Sequence, residues 1–279
     1  MLKKIIFGLF YCLTISMFSQ SITEGFTADY FQPSKKNQYG IIVLGGAEGG
    51  KPNELSKMFV ENGYAVLSLA YFKEENVPEE LEMIPLEYFE KPKQWLMRQK
   101  DVNASGVVIV GWSKGAELSL VLASTDPEIK GVVSISPSSV VWGGILKDWK
   151  KVPKSSWSLD GKPLPHVSFD TSGKAKTLVD LYLNSLNNKE LVKNASIKIE
   201  ESKAKILLLS GSKDEIWPAF TMSKVLIGRF DRLRNNQCKH INYPSLGHLL
   251  DEKFFIKEKG KEHSSRKEIF SFLKKLNDR

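Results

Sequence analysis

Apolar and polar positions follow two rhythms along this chain. Short, nearly unbroken apolar runs occur at Gly40–Gly46 (GIIVLGG), Tyr64–Tyr71 (YAVLSLAY), Gly106–Gly111 (GVVIVG), Gly131–Pro137 (GVVSISP), Lys205–Ser210 (KILLLS) and His240–Pro244 (HINYP). Between them lie segments whose apolar residues recur at helical spacing: Glu54–Asn62, closed by Gly63, then Ile84–Lys100, Gly115–Ser124, Phe220–Leu233 and Ser265–Leu276. Runs without polar alternation suit strands buried on both faces, which is the environment of a parallel sheet. Their alternation with helices predicts an α/β fold, a mostly parallel sheet with helices on both faces. Residues 22–38 predict a short antiparallel edge strand.

The rhythm breaks once, over residues 139–204. That stretch carries Trp142, Trp149 and Trp157, several prolines and a helical piece near Thr177–Leu186. An interruption this long between two strands predicts an inserted cap. Its apolar cluster, Val140, Val141, Trp142, Ile145 and Leu146, follows directly on a strand end. Ligands in parallel sheets bind outside such ends. Trp142 and Leu146 are therefore candidate substrate-binding residues, with packing of the cap onto the sheet as the alternative.

The first twenty residues, MLKKIIFGLFYCLTISMFSQ, have the three-part plan of a signal peptide: a basic start at Lys3 and Lys4, an apolar run, and small Ser19 near a cleavage point. The apolar run is short for a bilayer span of about 20 residues. The expectation is export, periplasmic or secreted, of a single domain over residues 21–279 with no stable membrane span. An uncleaved N-terminal anchor is the alternative.

Composition narrows the classes. With 279 residues, 42% hydrophobic and 26% charged, the chain can bury a full core. Two cysteines, Cys12 and Cys238, exclude a disulfide scaffold. The net charge of +8 is spread rather than gathered into a stripe; even the dense Lys257–Lys267 segment carries Glu258 and Glu262, with Glu268 directly after it. That predicts no nucleic-acid partner. No cluster of metal-ligand type is visible, so neither metal nor cofactor is expected.

Candidate chemistry centres on Gly111-Trp112-Ser113-Lys114-Gly115, a G-x-S-x-G pattern between a strand and a helix. This is the context of a nucleophile elbow. Ser113 needs a base. Of His166, His240, His248 and His263, His248 follows directly on the last strand, on a loop that reaches the same sheet edge as the serine, whereas His263 lies in the charged Lys257–Lys267 segment. A carboxylate should fix the imidazole's tautomer, and Asp214 follows the strand KILLLS closely, with Glu215 as its rival. The order Ser113, Asp214, His248 is the one expected for an α/β-hydrolase. Two backbone donors should hold the oxyanion: the Lys114 N–H, directly after the nucleophile, and one from the loop Gly45–Gly50, where Ala47 and its neighbour Gly46 are the candidates.

Taken together, IIVLGGAEGG, GYAVLSLAYF, IPLEYFEKPKQWL, GWSKGAELSLVLAS, SPSSVVWGG, LLLSGSKDEIWP and YPSLGHLL resemble the acyl-CoA thioesterase and bile-acid-CoA:amino-acid N-acyltransferase family, in its C-terminal α/β-hydrolase (dienelactone-hydrolase-like) domain. The resemblance implies acyl thioester hydrolysis or acyl transfer to an amine. It places the nucleophile at Ser113, the acid at Asp214 and the base at His248. A serine forms an oxygen-ester acyl-enzyme, which favours water over an amine as acceptor. The expectation is therefore a serine hydrolase of a small-molecule acyl ester or thioester, with a dienelactone-hydrolase-type carboxylesterase or an amino-acid N-acyltransferase as alternatives.

Overall fold

In the computed structural model, which describes residues 19–148, 150–250 and 264–278, the apolar runs form one eight-stranded sheet. Its strands are β1 (Ser19–Ile22), β2 (Thr27–Phe31), β3 (Gln38–Leu44), β4 (Val66–Ala70), β6 (Val102–Trp112), β7 (Ile129–Ile135), β10 (Lys205–Gly211) and β11 (Cys238–Tyr243). They lie in the order β1-β2-β4-β3-β6-β7-β10-β11. From β4 to β11 all neighbours are parallel, while β1 and β2 close one edge antiparallel. Parallel order requires crossovers, and α1 (Asn53–Glu61), α2 (Glu90–Met97), α3 (Lys114–Thr125), α6 (Ala219–Arg232) and α7 (Ser264–Asn277) supply the helices. Two apolar clusters result, one on each face. Ile42, Leu44, Val107 and Ile109 point to one side with Leu118 and Leu208. Ile41, Val43, Val108 and Val110 point to the other with Phe59 and Leu273. Alternate residues of the same strand feed opposite faces, which is why these runs contain no polar alternation.

The edge strand expected within residues 22–38 is present as β2, and β1 extends that edge. β1 begins at Ser19, so Ser19 and Gln20, assigned above to the signal peptide, pair with Phe31 and Tyr30. Residues 1–18, including Cys12, lie outside the described residues, as do Trp149 and His263.

One helical expectation is corrected. Ile84–Lys100 is not a single helix. Ile84–Pro85 forms a short strand, β5, followed by a 3-10 turn at Leu86–Phe89 and then α2. Pro85 has no N–H to continue a helix, whereas Pro92 falls in the first turn of α2, where its missing donor costs nothing.

Residues 139–204 leave the sheet after β7 and return at β10. They contain β8 (Trp157–Leu159), β9 (Lys162–Pro163), α4 (Leu178–Ser185) and α5 (Lys189–Asn194). Strands β5, β8 and β9 form a separate three-stranded sheet, so the segment is stitched to the chain before α2. A third apolar cluster sits within it and beside it: Val140, Trp142, Val167, Tyr182, Ala195, Trp217 and Met222. Helix α4 has a reciprocal N-terminal cap, Thr177 accepting from the Asp180 N–H and Asp180 from the Thr177 N–H. No helix among the described residues is long and apolar enough to cross a membrane.

Candidate active site

Ser113 lies between the end of β6 and the first residue of α3, with φ 55° and ψ −117°. A non-glycine residue there carries backbone strain of about 1–3 kcal/mol. The surroundings hold it in place: the Ser113 N–H donates to Ile135 O at 3.0 Å, and Ser113 O accepts from the Glu117 N–H at 3.0 Å. The turn is tight enough to forbid side chains on either flank. A methyl on Gly111 would sit 2.0 Å from Gly115 O, and one on Gly115 2.3 Å from Leu44 O. The two glycines of the motif are contact points between helix and strand.

Asp214 and His248 meet. The His248 Nδ1 lies 2.8 Å from Asp214 Oδ2 and 3.0 Å from Oδ1. Asp214 Oδ1 also accepts from the Ile216 and Trp217 N–H groups, at 2.9 and 3.1 Å. A carboxylate with these donors is oriented for the Nδ1–H tautomer, leaving Nε2 as the basic nitrogen. Glu215, the rival acid, touches only the His248 backbone N–H, at 3.3 Å. Both His248 and Ser113 are buried, at 5% and 6% exposure. The His248 ring packs against Trp217, with centroids 5.8 Å apart, and Trp112, the residue before the serine, at 6.3 Å. Ser136, a second residue with positive φ (52°), donates its hydroxyl to His248 O and so pins the histidine loop to the end of β7. The sequence offered no signal for that role; a serine after a strand is common.

The oxyanion loop is more particular than expected. The Lys114 N–H opens α3, where first-turn donors lack intrahelical acceptors, and Ala47 is exposed. The Gly46 N–H, however, donates to Glu48 Oε1 at 2.8 Å, so it is a filled donor rather than an open one. A methyl on Gly46 would lie 2.7 Å from Glu48 Oε2 and 3.1 Å from Ser113 Cβ, which puts this carboxylate next to Ser113. Glu48 is open to solvent along part of its length, but its carboxylate is turned inward. Desolvation there pushes its pKa above the ordinary 4.5, against the opposing pull of its backbone hydrogen bonds, His248 and Lys73. Sequence reasoning missed Glu48; the GGAEGG loop drew notice for the backbone donors of Ala47 and Gly46.

Trp142 has no exposed surface. Phe169 stacks parallel to it at 6.1 Å, Tyr182 meets it edge-on at 4.7 Å, and its indole N–H donates to Ser138 Oγ at 2.9 Å. This corrects the lining role expected for it: every face is taken by protein, and the packing alternative fits. Leu146 is half-buried, next to the bridge between Leu81 and Ile145.

The other described histidines stand apart from this site. His166 Nδ1 contacts Leu164 O, and His240 Nε2 lies 2.8 Å from Ser210 Oγ within the sheet. Cys238 is a largely buried thiol whose pKa desolvation pushes up to about 12. Among the described residues, Glu90, Asp126 and Glu128 bring carboxylate oxygens within 4.8 Å of one another. Their centre already holds a cation, the Lys93 ammonium, at 2.8, 2.5 and 2.8 Å.

A serine at a strained strand-to-helix turn, and an aspartate–histidine pair on the loops after later strands of a parallel sheet, define an α/β-hydrolase fold. Residues 84–265 match the profile of the BAAT / acyl-CoA thioester hydrolase C-terminal family, and the chain belongs to that family. It is 30% identical over 216 residues to mouse acyl-coenzyme A thioesterase 3, covering 77% of this chain and 48% of that protein. It is 27% identical over 212 residues to human bile acid-CoA:amino acid N-acyltransferase, covering 76% of this chain and 49% of that protein. The chain thus spans about half the length of the curated relatives it matches. Among solved structures, an esterase of Pyrococcus furiosus superimposes with a TM-score of 0.61 at 13% identity, covering 93% of each chain. That likeness speaks to the fold.

Proposed function

We propose that this chain is a serine hydrolase of acyl esters or thioesters. Ser113 Oγ attacks the acyl carbon while His248 Nε2 takes its proton, and Asp214 steadies the imidazolium through Nδ1. The backbone N–H groups of Lys114 and Ala47 receive the negative charge that develops on the acyl oxygen. The tetrahedral intermediate collapses as His248 returns the proton to the leaving thiol or alcohol. Water, deprotonated by the same nitrogen, then releases the carboxylic acid and frees Ser113.

The observation that carries this reading is the Asp214–His248 pair at 2.8 Å, in a chain whose Ser113 sits at φ 55° in a G-x-S-x-G turn. Family membership supports acyl chemistry, and the thioesterase relative favours a thioester. The experiment is hydrolysis of p-nitrophenyl esters and acyl-CoA thioesters of graded chain length, with Ser113→Ala as control. Absence of Ser113-dependent turnover on every ester and thioester would overturn the proposal.

The N-acyltransferase relative supports a second reading, acyl transfer to an amino acid. Adding amino acids to the thioesterase assay separates the two, since a transferase yields an N-acyl amino acid in place of the free acid. Export by residues 1–20 is part of the proposal and is tested by the N-terminus of the cell-derived chain: cleavage near residues 20–22 supports it, and an intact Met1 on soluble cytoplasmic protein opposes it.

A further inference from the structure

Both walls of the expected oxyanion hole are tied to one residue of the inserted segment. On one wall, Glu117 lies one turn after Ser113 with no exposed surface. Its Oε2 accepts from Lys114 Nζ at 2.6 Å. Its Oε1 accepts from the Trp157 indole N–H at 2.7 Å and from the Trp142 backbone N–H at 3.1 Å. Lys114 Nζ also lies 5.3 Å from the centre of the Trp157 ring. On the other wall, Tyr71 packs on Trp157 with ring centroids 5.8 Å apart, and its hydroxyl donates to Gly45 O at 2.7 Å. Gly45 opens the loop in which the Gly46 N–H is taken by Glu48 and Ala47 is the remaining candidate donor. Trp157, on β8, therefore stands between the support of the Lys114 peptide and the support of the Gly45–Ala47 peptides.

These groups are costly to bury. Desolvation pushes the Glu117 carboxyl up and the Lys114 ammonium down, each opposed by the other's charge. Burial pushes the Tyr71 phenol well up, so it acts as a neutral donor. A buried ion pair is weak evidence for stability, because hydrophobic residues of similar volume often do as well. What such a pair does supply is direction, since each oxygen and each proton has one place to go. Here those directions converge on the two stretches of backbone meant to bind the oxyanion.

We propose that Tyr71, Glu117 and Trp157 are positioning residues which set the separation of the two oxyanion-binding backbone segments, so that the inserted segment controls transition-state binding without touching substrate. The inference rests on the serine-hydrolase reading. Its logic is that donors must sit where the oxyanion forms, and displacements well under 1 Å weaken them.

The test uses two changes in the full chain: Tyr71→Phe, which keeps the ring and removes the hydroxyl, and Trp157→Phe, which removes the indole N–H and leaves a smaller aromatic ring. Active sites are titrated with a fluorophosphonate, so that misfolded protein is not counted. Three quantities are then read: kcat per titrated site, KM, and affinity for a boronic acid that mimics the tetrahedral intermediate. Each variant should lose about tenfold to a hundredfold in kcat with KM within about twofold. The boronic acid should weaken by the same factor as kcat, while inhibition by the carboxylate product stays unchanged. A merely structural role would lower thermal stability and the titrated fraction but leave kcat per site and boronic-acid affinity unmoved, and that result overturns the inference. A wild-type chain that turns over no ester or thioester sinks the hydrolase reading and this inference with it. An active wild type with unaltered variants sinks the inference alone.

Discussion

Glu48 folds back onto the backbone of Gly46, its Oε1 2.8 Å from the glycine nitrogen, in the loop that faces Ser113. A carboxylate on a backbone N–H makes a charge-assisted hydrogen bond, but this one is turned inward from solvent, and desolvation is the largest influence on it. Its proton is therefore bound more tightly in the folded chain than in the unfolded one. Between the ordinary value of 4.5 and the raised folded value the native state binds more protons, so stability falls as pH rises through that window. Glu48→Gln keeps an acceptor for Gly46 and removes the charge. The variant should melt at a higher temperature than wild type at pH 7, with the gain shrinking as pH falls toward 4.5. Thermal scans at several pH values check this, and a gain that grows on acidification would contradict it.

Ser113 combines a strained backbone with the nucleophile role proposed for it. Ser113→Ala should lower kcat by about four orders of magnitude or more, because residues that act as one unit fail together. A fluorophosphonate probe should label wild type and leave the variant unmarked. Ser113→Gly should be equally inactive yet more stable by about 1 kcal/mol, because glycine accepts φ 55° without the strain. Denaturant titration of the two variants side by side tests that difference.

Asp214 and Glu215 are adjacent and divide the work on His248 unequally. Asp214→Asn should cut kcat by about 10⁴-fold through the wrong imidazole tautomer, with the fold kept. Glu215 meets only the backbone of His248, so Glu215→Gln should cost less than about tenfold. Steady-state kinetics of the pair decides it, and the reverse ranking would assign the acid to Glu215.

Trp142→Ala removes the centre of an aromatic stack formed with Phe169 and Tyr182. The expected loss is about 3–5 kcal/mol of stability, with acyl chain-length preference unchanged in the protein that remains folded. Leu146 is only partly buried, so Leu146→Ala should cost less than Trp142→Ala. A shifted chain-length optimum in Trp142→Ala would restore a lining role.

Much of the sheet was legible because its strands are buried on both faces. GIIVLGG, GVVIVG and KILLLS carry no polar residue between their ends, and the structure places their apolar stretches in β3, β6 and β10. Ile84–Lys100 misled because its apolar spacing suits a helix, while Pro85 and pairing with a distant strand decided the first six residues. The Asp214–His248 contact was legible because each residue follows a strand-like run in a telling order. Glu48, Tyr71, Ser136 and Glu117 were not. Their partners are 2 to 112 positions away in sequence and are mostly backbone atoms, which leave no trace in residue type. Trp142 was read as a wall of the site because apolar clusters near a strand end look alike whether they face a ligand or one another.

The glycines at 111 and 115 carry a consequence of a different kind. At each, a single carbon would overlap backbone of the neighbouring element by more than an ångström. Helix α3 therefore rests directly on the sheet, main chain against main chain, with no side chain as a spacer. A spacer can be exchanged for a larger or smaller one, and Ser113 would drift with each exchange. Here the stand-off is set by the van der Waals radii of backbone atoms. The height of Ser113 above the strands thus follows from main-chain contact rather than from the size of any one core side chain.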